Sequence, residues 1–159
     1  MIKPLDKSFL AEYAELIRRS FATVASDLGL TRENSPTHTS FITDEMLASK
    51  YRKGYFPFGY FSGERLIGFV SLTDEGGGDY ELNNLAVLPE CRHNGYGREL
   101  VDFCKAKTRE LGGRRIKIGI IEENLRAKNW YASQGFRHTG AKKFDHMAFT
   151  AGFMEWEAL

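Results

Sequence analysis

Residues 80–97 read YELNNLAVLPECRHNGYG, the pattern of a strand followed by a glycine-bearing loop. The first nine residues form a mostly apolar run, and Pro89 stops it. A helical spacing of apolar residues begins directly after the loop and continues from Arg98 to Leu111. The sequence therefore predicts a strand, a loop and a helix in immediate succession, and the remaining elements are arranged around them.

A helix that starts after such a loop is suited to binding a phosphate group. Its first turn has unpaired N–H groups and carries the positive end of the helix dipole. Gly95 and Gly97 allow the backbone to approach an anion closely. An ordinary turn with a helix cap has the same pattern. Because no Gly-Lys-Ser/Thr follows, and Leu100 replaces the third glycine of a dinucleotide fingerprint, the loop alone leaves the ligand open.

Composition and charge narrow the class of protein. The 159 residues are 42% apolar and 27% charged, as in a globular domain. The net charge of +1 gives no reason to expect nucleic acid or an anionic membrane as a partner. The N-terminus lacks the apolar core of a signal peptide. Cys91 and Cys104 have no partners at metal-ligand spacing, so we expect a cytoplasmic protein without a metal.

The other elements follow from changes in apolar spacing. Before the central stretch we predict a strand at 2–5, a helix at 9–28, a polar loop at 31–40, a short helix at 43–54 and a β-hairpin at 55–72. After it we predict a strand at 115–121, a helix that Asn124 caps and Gly135 ends, and closing strands at 136–144 and 148–156. This order implies one parallel crossover in a largely antiparallel sheet, hence one α+β domain over residues 1–159.

Two motifs in this order resemble the GNAT superfamily of acetyl-CoA-dependent N-acetyltransferases. The loop 92–97 matches the family's Arg/Gln-x-x-Gly-x-Gly/Ala. The stretch 124–136 matches its Asn-x-x-Ala-x-x-x-Tyr-x-x-x-Gly-Phe. The resemblance implies a mixed, mostly antiparallel central sheet flanked by about four helices. It also implies one parallel β-α-β crossover and a cleft for CoA where two strands splay apart.

The resemblance also implies where acetyl-CoA binds. The pantetheine arm would lie along Leu85, Ala86 and Val87, with Asn124, Ala127 and Tyr131 meeting it from the other side. The residues implied to cradle the pyrophosphate are Arg92, His93, Asn94, Gly95, Tyr96, Gly97 and Arg98. Family loops often read Gly-Lys where this chain has His93 and Asn94. A histidine adopts positive φ less cheaply than glycine, and the asparagine removes a cation.

Two residues are candidates for the chemistry. The resemblance places Tyr131 where a tyrosine protonates the departing thiolate, and Glu81 where some members carry a general base. The alternatives are a core aromatic at Tyr131 and a solvated strand residue at Glu81. Asn124 could serve only as a helix cap, and Arg92 could be a solvated loop cation. His38, His138 and His146 are interpreted as surface or structural histidines, because none has an evident partner.

The function implied is direct transfer of an acetyl group from acetyl-CoA to a primary amine of a small molecule, peptide or protein. An alternative is a non-catalytic acyl-CoA-binding regulatory module of the same fold. A protein for a different phosphate ligand is a further alternative. The acceptor amine, the use of other acyl groups and the formation of a homodimer stay open.

Overall fold

The computed structural model describes residues 1–158 and has the predicted order of elements. The helices are α1 (Leu10–Leu28), α2 (Asp44–Ala48), α3 (Tyr96–Glu110) and α4 (Leu125–Ser133). The strands are β1 (Ile2–Pro4), β2 (Tyr55–Ser62), β3 (Arg65–Gly76), β4 (Asp79–Val87), β5 (Arg115–Ile121), β6 (Arg137–Lys143) and β7 (Thr150–Glu157). The α+β class is therefore confirmed.

The strands form one seven-stranded sheet in the order β1-β2-β3-β4-β5-β7-β6. Each neighbouring pair is antiparallel except β4 and β5, which are parallel and are joined through α3. A parallel pair needs such a crossover, because the chain must return to the starting edge of the sheet. The predicted mixed sheet with one β-α-β unit is confirmed.

Helices cover the sheet on both faces and bury two cores. The first core lies under α1 and α2 and includes the wholly buried Tyr13, Leu47 and Phe69. The second lies under α3 and α4 and contains Leu100 and Ile116 among its wholly buried residues. Cys104, on α3, is wholly buried there as well.

The ends of three elements differ from the predictions for local reasons. Helix α3 begins at Tyr96, two residues earlier than predicted, because Gly95 takes a left-handed conformation (φ 84°) and serves as its N-cap. Helix α2 ends at Ala48, well short of the predicted Gly54, and Ser49 Oγ donates to a carbonyl in its last turn. Strand β3 extends to Gly76, beyond the predicted end of the hairpin at residue 72.

Strands β4 and β5 diverge soon after they begin. They pair only where Asp79–Glu81 of β4 meets Arg115–Lys117 of β5. Further along, β4 contains a bulge, because its register with β3 shifts near Asn84, which has a φ of 57°. A bulge bends a strand and increases its twist, so it directs β4 away from β5. We call the resulting V-shaped gap between β4 and β5 the splay. It is closed at Glu81 and open past Val87.

The bulge also resets which side chains of β4 face each helix layer. Tyr80 and Leu82 lie in the second core, under α3. After the bulge, Leu85 and Val87 pack against that same core, whereas Ala86 belongs to the first core, under α1. A strict alternation of side chains along an unbroken strand would have put Ala86 on the same face as Leu82.

Candidate active site

The splay leaves one edge of β4 without a strand partner within residues 1–158. The N–H of Leu88 donates to Ile67 O on β3 at 2.9 Å. Because successive residues of a strand direct their N–H groups to opposite edges, the N–H of Val87 faces the gap. Leu85 and Val87 are half-buried there, and Ala86 between them is buried. An extended ligand could therefore add to β4 as if it were another strand.

The loop between β4 and α3 is folded back on itself. The side-chain amide of Asn94 donates to the carbonyl oxygens of Cys91 (3.0 Å) and Arg92 (3.1 Å). His93 takes a left-handed conformation with a φ of 65°, as Gly95 does. Within the described chain, the backbone N–H groups of residues 93–98 donate to no protein acceptor. These groups and the start of α3 together make a site suited to an anion.

The side chain of Arg92 braces this loop against α1. Its guanidinium donates to Ser20 O at 2.7 Å and to Thr23 Oγ1 at 3.0 Å. Burial lowers the pKa of Arg92, and the nearby cation of Arg126 lowers it further. Hydrogen bonds therefore hold the Arg92 side chain against α1, so it is not a freely solvated cation. Its positive charge lies beside the loop.

The influence of Arg126 on Arg92 identifies a residue that the sequence analysis missed. Arg126 lies in the first turn of α4, is exposed, and is close enough to the loop to repel its arginine electrostatically. It occupies an unspecified position of the motif that starts at Asn124. Only the packing of α4 beside the loop indicates that a second cation is available to a bound phosphate.

Helix α4 brings Asn124 and Tyr131 to the same side. The side chain of Asn124 accepts from Ala127 N at 3.2 Å, which confirms that it caps the helix. The ring of Tyr131 packs edge-on against Trp130 (5.0 Å between centroids) and Phe136 (5.6 Å). Its hydroxyl makes no hydrogen bond to any residue from 1 to 158. Burial raises the pKa of Tyr131, so the phenol is neutral and available as a donor.

Glu81 lies at the closed end of the splay. It is opposite Thr73 on β3 and Lys117 on β5, and it faces the α1 side because Tyr80 and Leu82 face the other. Burial, with the neighbouring carboxyl of Glu75, raises the pKa of Glu81 to about 7, although the cations of Lys50 and Lys117 oppose the shift. A carboxyl group with a pKa near 7 can accept a proton from a bound molecule near neutral pH.

The histidines lie in different surroundings. His38 is buried, and burial lowers its pKa. His138 does have a partner, because its Nε2 lies 2.9 Å from Glu122, so the expectation that it stands alone is wrong. Among residues 1–158 there is no group of three or more side chains that could hold a metal ion. None of the helices described within those residues combines the length and the apolar character that a membrane span requires.

A model of the acetyltransferase (GNAT) family matches residues 15–136, and the chain belongs to this family. Named relatives are similar over shorter stretches. An uncharacterized N-acetyltransferase of Mycobacterium tuberculosis is 30% identical over 80 residues, which cover 50% of this chain and 51% of that protein. Another, of Lactobacillus delbrueckii subsp. lactis, is 34% identical over 55 residues, 35% of this chain and 32% of that protein. The chain thus spans about half the length of these relatives or less.

Solved structures match the fold over nearly the whole chain. The ribosomal-protein-S18-alanine N-acetyltransferase of Escherichia coli has a TM-score of 0.81 at 17% identity, covering 99% of this chain and 93% of its own. The PaiA N-acetyltransferase of Thermoplasma acidophilum, in complex with coenzyme A, has a TM-score of 0.74 at 20% identity, covering 99% and 98%. At these identities the similarity establishes the fold alone.

Proposed function

We propose that the protein is an N-acetyltransferase that moves the acetyl group of acetyl-CoA directly to a primary amine of a small molecule, peptide or protein. The observation that carries this proposal is the splay itself. It opens between an anion site on its α3 side and a carboxyl with a pKa near 7 on its α1 side. Membership of the acetyltransferase family supports the choice of cofactor.

In this proposal the diphosphate of acetyl-CoA binds at residues 92–98. The free N–H groups would donate to its oxygens, and the cations of Arg92, Arg98 and Arg126 lie on or beside the loop. The pantetheine arm would then run along residues 85–87 toward Glu81, with Asn124 and Ala127 on the side of α4.

The reaction needs a donor to stabilise an oxyanion, a proton acceptor and a proton donor, and residues lining the splay could supply all three. The amine nitrogen forms a bond to the thioester carbon, and the N–H of Val87 would stabilise the resulting oxyanion. Glu81 would accept the proton that the amine loses, directly or through water. When the carbon–sulfur bond breaks, the electron pair goes to sulfur, and the neutral phenol of Tyr131 would donate a proton to that thiolate.

The decisive experiment measures release of free CoA over a panel of primary amines, alongside calorimetry of CoA binding. We expect both binding and amine-dependent release. Binding without release on any amine would support the non-catalytic acyl-CoA-binding module instead. Absence of CoA binding would overturn both. We also propose that residues 1–159 act as one domain in the cytoplasm, in keeping with the free thiols of Cys91 and Cys104.

A further inference from the structure

Side chains of opposite charge face each other on the α1 side of the sheet, at the closed end of the splay. Asp79 and Glu81 are two residues apart on β4, and Arg115 and Lys117 have the same spacing on β5. Each pair therefore lies on one face of its strand. In the register of the two strands, Asp79 is opposite Arg115 and Glu81 is opposite Lys117. Each acid of β4 thus has one cation of β5 directly across from it.

The ammonium group of Lys117 does not bind the acid directly opposite it. Its Nζ lies 3.3 Å from Oδ2 of Asp79, which is its diagonal neighbour. Among residues 1–158, no ion pair joins Lys117 to Glu81. Arg115 also binds Asp79, with its Nε 3.0 Å from Oδ1, and its Nη1 lies 3.6 Å from Glu155. Asp79 therefore holds both cations of β5 on its own side of the cluster.

Glu81 is surrounded by charges of both signs. Burial and the carboxyl of Glu75 on β3 raise its pKa to about 7, while Lys117 on β5 and Lys50, which follows α2, oppose this shift. Asp79 is the other acid on the same face of β4. A cation within about 4 to 6 Å of a carboxyl lowers its pKa by about 1 to 3 units. The side to which Lys117 turns thus decides how strongly Glu81 holds a proton.

We propose that Asp79 is a positioning residue for the proton acceptor: it holds the ammonium group of Lys117 on the diagonal and so keeps Glu81 able to accept a proton near neutral pH. The proposal rests on the proposed function, because it takes Glu81 as the acceptor. Without the charge of Asp79, Lys117 would lie between the carboxylates opposite it, Glu81 on β4 and Glu155 on β7. Because Arg115 already binds Glu155, Lys117 would turn to Glu81.

The first test measures the pKa of Glu81 without any turnover. The NMR chemical shift of its side-chain carboxyl carbon reports the titration, and the signal missing in Glu81→Gln identifies it. In Asp79→Asn we expect the pKa of Glu81 to fall by about one unit. This is the lower end of the usual range, because the Lys117 side chain is 46% exposed and its charge is partly screened. The acidic limb of the rate of acetyl transfer should move to lower pH by the same amount.

A second substitution separates this role from a purely structural one. Adding Lys117→Gln to Asp79→Asn removes the released cation, so the pKa of Glu81 should return to the wild-type value or slightly above it. If Asp79 only holds β4 against β5, Lys117→Gln will restore nothing. Asp79→Glu keeps the charge and should keep the wild-type titration. Glu155→Gln is the matched control, because it removes a carboxylate from the same cluster but leaves Lys117 bound to Asp79.

The outcomes separate this inference from the proposed function. An unchanged pKa of Glu81 in folded Asp79→Asn would overturn the inference, and so would a fall that Lys117→Gln does not reverse. A lower pKa without a shift of the acidic limb would support the role of Asp79 and contradict Glu81 as the acceptor. Melting temperature shows whether each variant is folded. If Asp79→Asn is not, Lys117→Gln alone decides: the pKa of Glu81 should change little, and a rise of about one unit or more would overturn the inference.

Discussion

His93 holds a side chain in a backbone conformation that glycine adopts freely. Its φ of 65° costs a residue with a Cβ about 1 kcal/mol or more. His93→Gly should therefore raise the free energy of unfolding, by about 0.5 kcal/mol once the greater freedom of glycine in the unfolded chain is subtracted. Denaturant unfolding measures this change. His146→Gly, at a position without positive φ, should give no gain.

Tyr131 combines a packed ring with a hydroxyl that has no acceptor among residues 1–158. Tyr131→Phe keeps the packing against Trp130 and Phe136 but deletes the proton donor. We expect kcat to fall by roughly 10- to 10³-fold, with little change in CoA affinity or melting temperature. Tyr80→Phe, in the same core, should leave kcat near the wild-type value. If kcat of Tyr131→Phe equals the wild-type value, the Tyr131 hydroxyl does not act as the proton donor and the residue has only a structural role.

Glu81 has a diagonal neighbour, Glu75, on β3, and the two carboxyls disfavour simultaneous ionisation. With a pKa near 7, Glu81 is protonated at lower pH, so the rate of acetyl transfer should rise with pH up to about 7. Glu75→Gln removes the neighbouring charge, which should lower the pKa of Glu81 and move this acidic limb to lower pH. Asp74→Asn, on the opposite face of β3, is the control.

The raised pKa of Glu81 also makes the stability of the folded protein depend on pH. The folded state binds the Glu81 proton more tightly than the unfolded state, so stability falls as the pH rises from about 4.5 to about 7. Glu81→Gln should therefore raise the melting temperature at pH 8 more than at pH 4. It should also remove the acidic limb of the rate profile. An acidic limb that persists in Glu81→Gln would mean that another group accepts the proton.

At the scale of elements, the start of α3 and its loop form one anion site. Gly97→Asp places a carboxylate beside the proposed diphosphate, and like charges about 4 Å apart repel by several kcal/mol near a protein surface. We expect CoA affinity to fall by about 10²-fold or more. The fold should survive, because a Cβ at Gly97 meets Trp130 at an ordinary distance of 3.5 Å. Gly97→Ala adds the same Cβ without charge and should change the affinity little.

The shape of the splay also belongs to this scale, because two features of β4 produce it. At the closed end, Asp79 binds Arg115 (Nε at 3.0 Å) and Lys117 (Nζ at 3.3 Å) and holds β4 against β5. Further along, the bulge at Asn84 directs the strand away. The strands therefore pair for three residues and then part, which exposes the N–H of Val87.

At the scale of the whole molecule, the sheet separates two routes by which molecules could reach the splay, one from each face. The layer of α3 and α4 carries the anion site and Tyr131. The opposite layer carries the helix α1, and the side chain of Glu81 lies on that side. If a cofactor binds from one face and an acceptor from the other, the two would meet in the splay. Direct transfer between them requires this arrangement.

The sequence by itself determined the order of elements, the fold class and the main candidate residues. Apolar spacing places α1 and β5 to within one residue and α3 to within two, because the spacing of apolar residues along one element is a local property of the sequence. The tertiary structure alone decided the bulge at Asn84, the neighbours of Glu81 and the ion pair of Asp79 with Lys117. Each of these features depends on contacts between segments that are distant in sequence. A local sequence pattern does not show which distant side chains will pack together, so the sequence alone could not predict them.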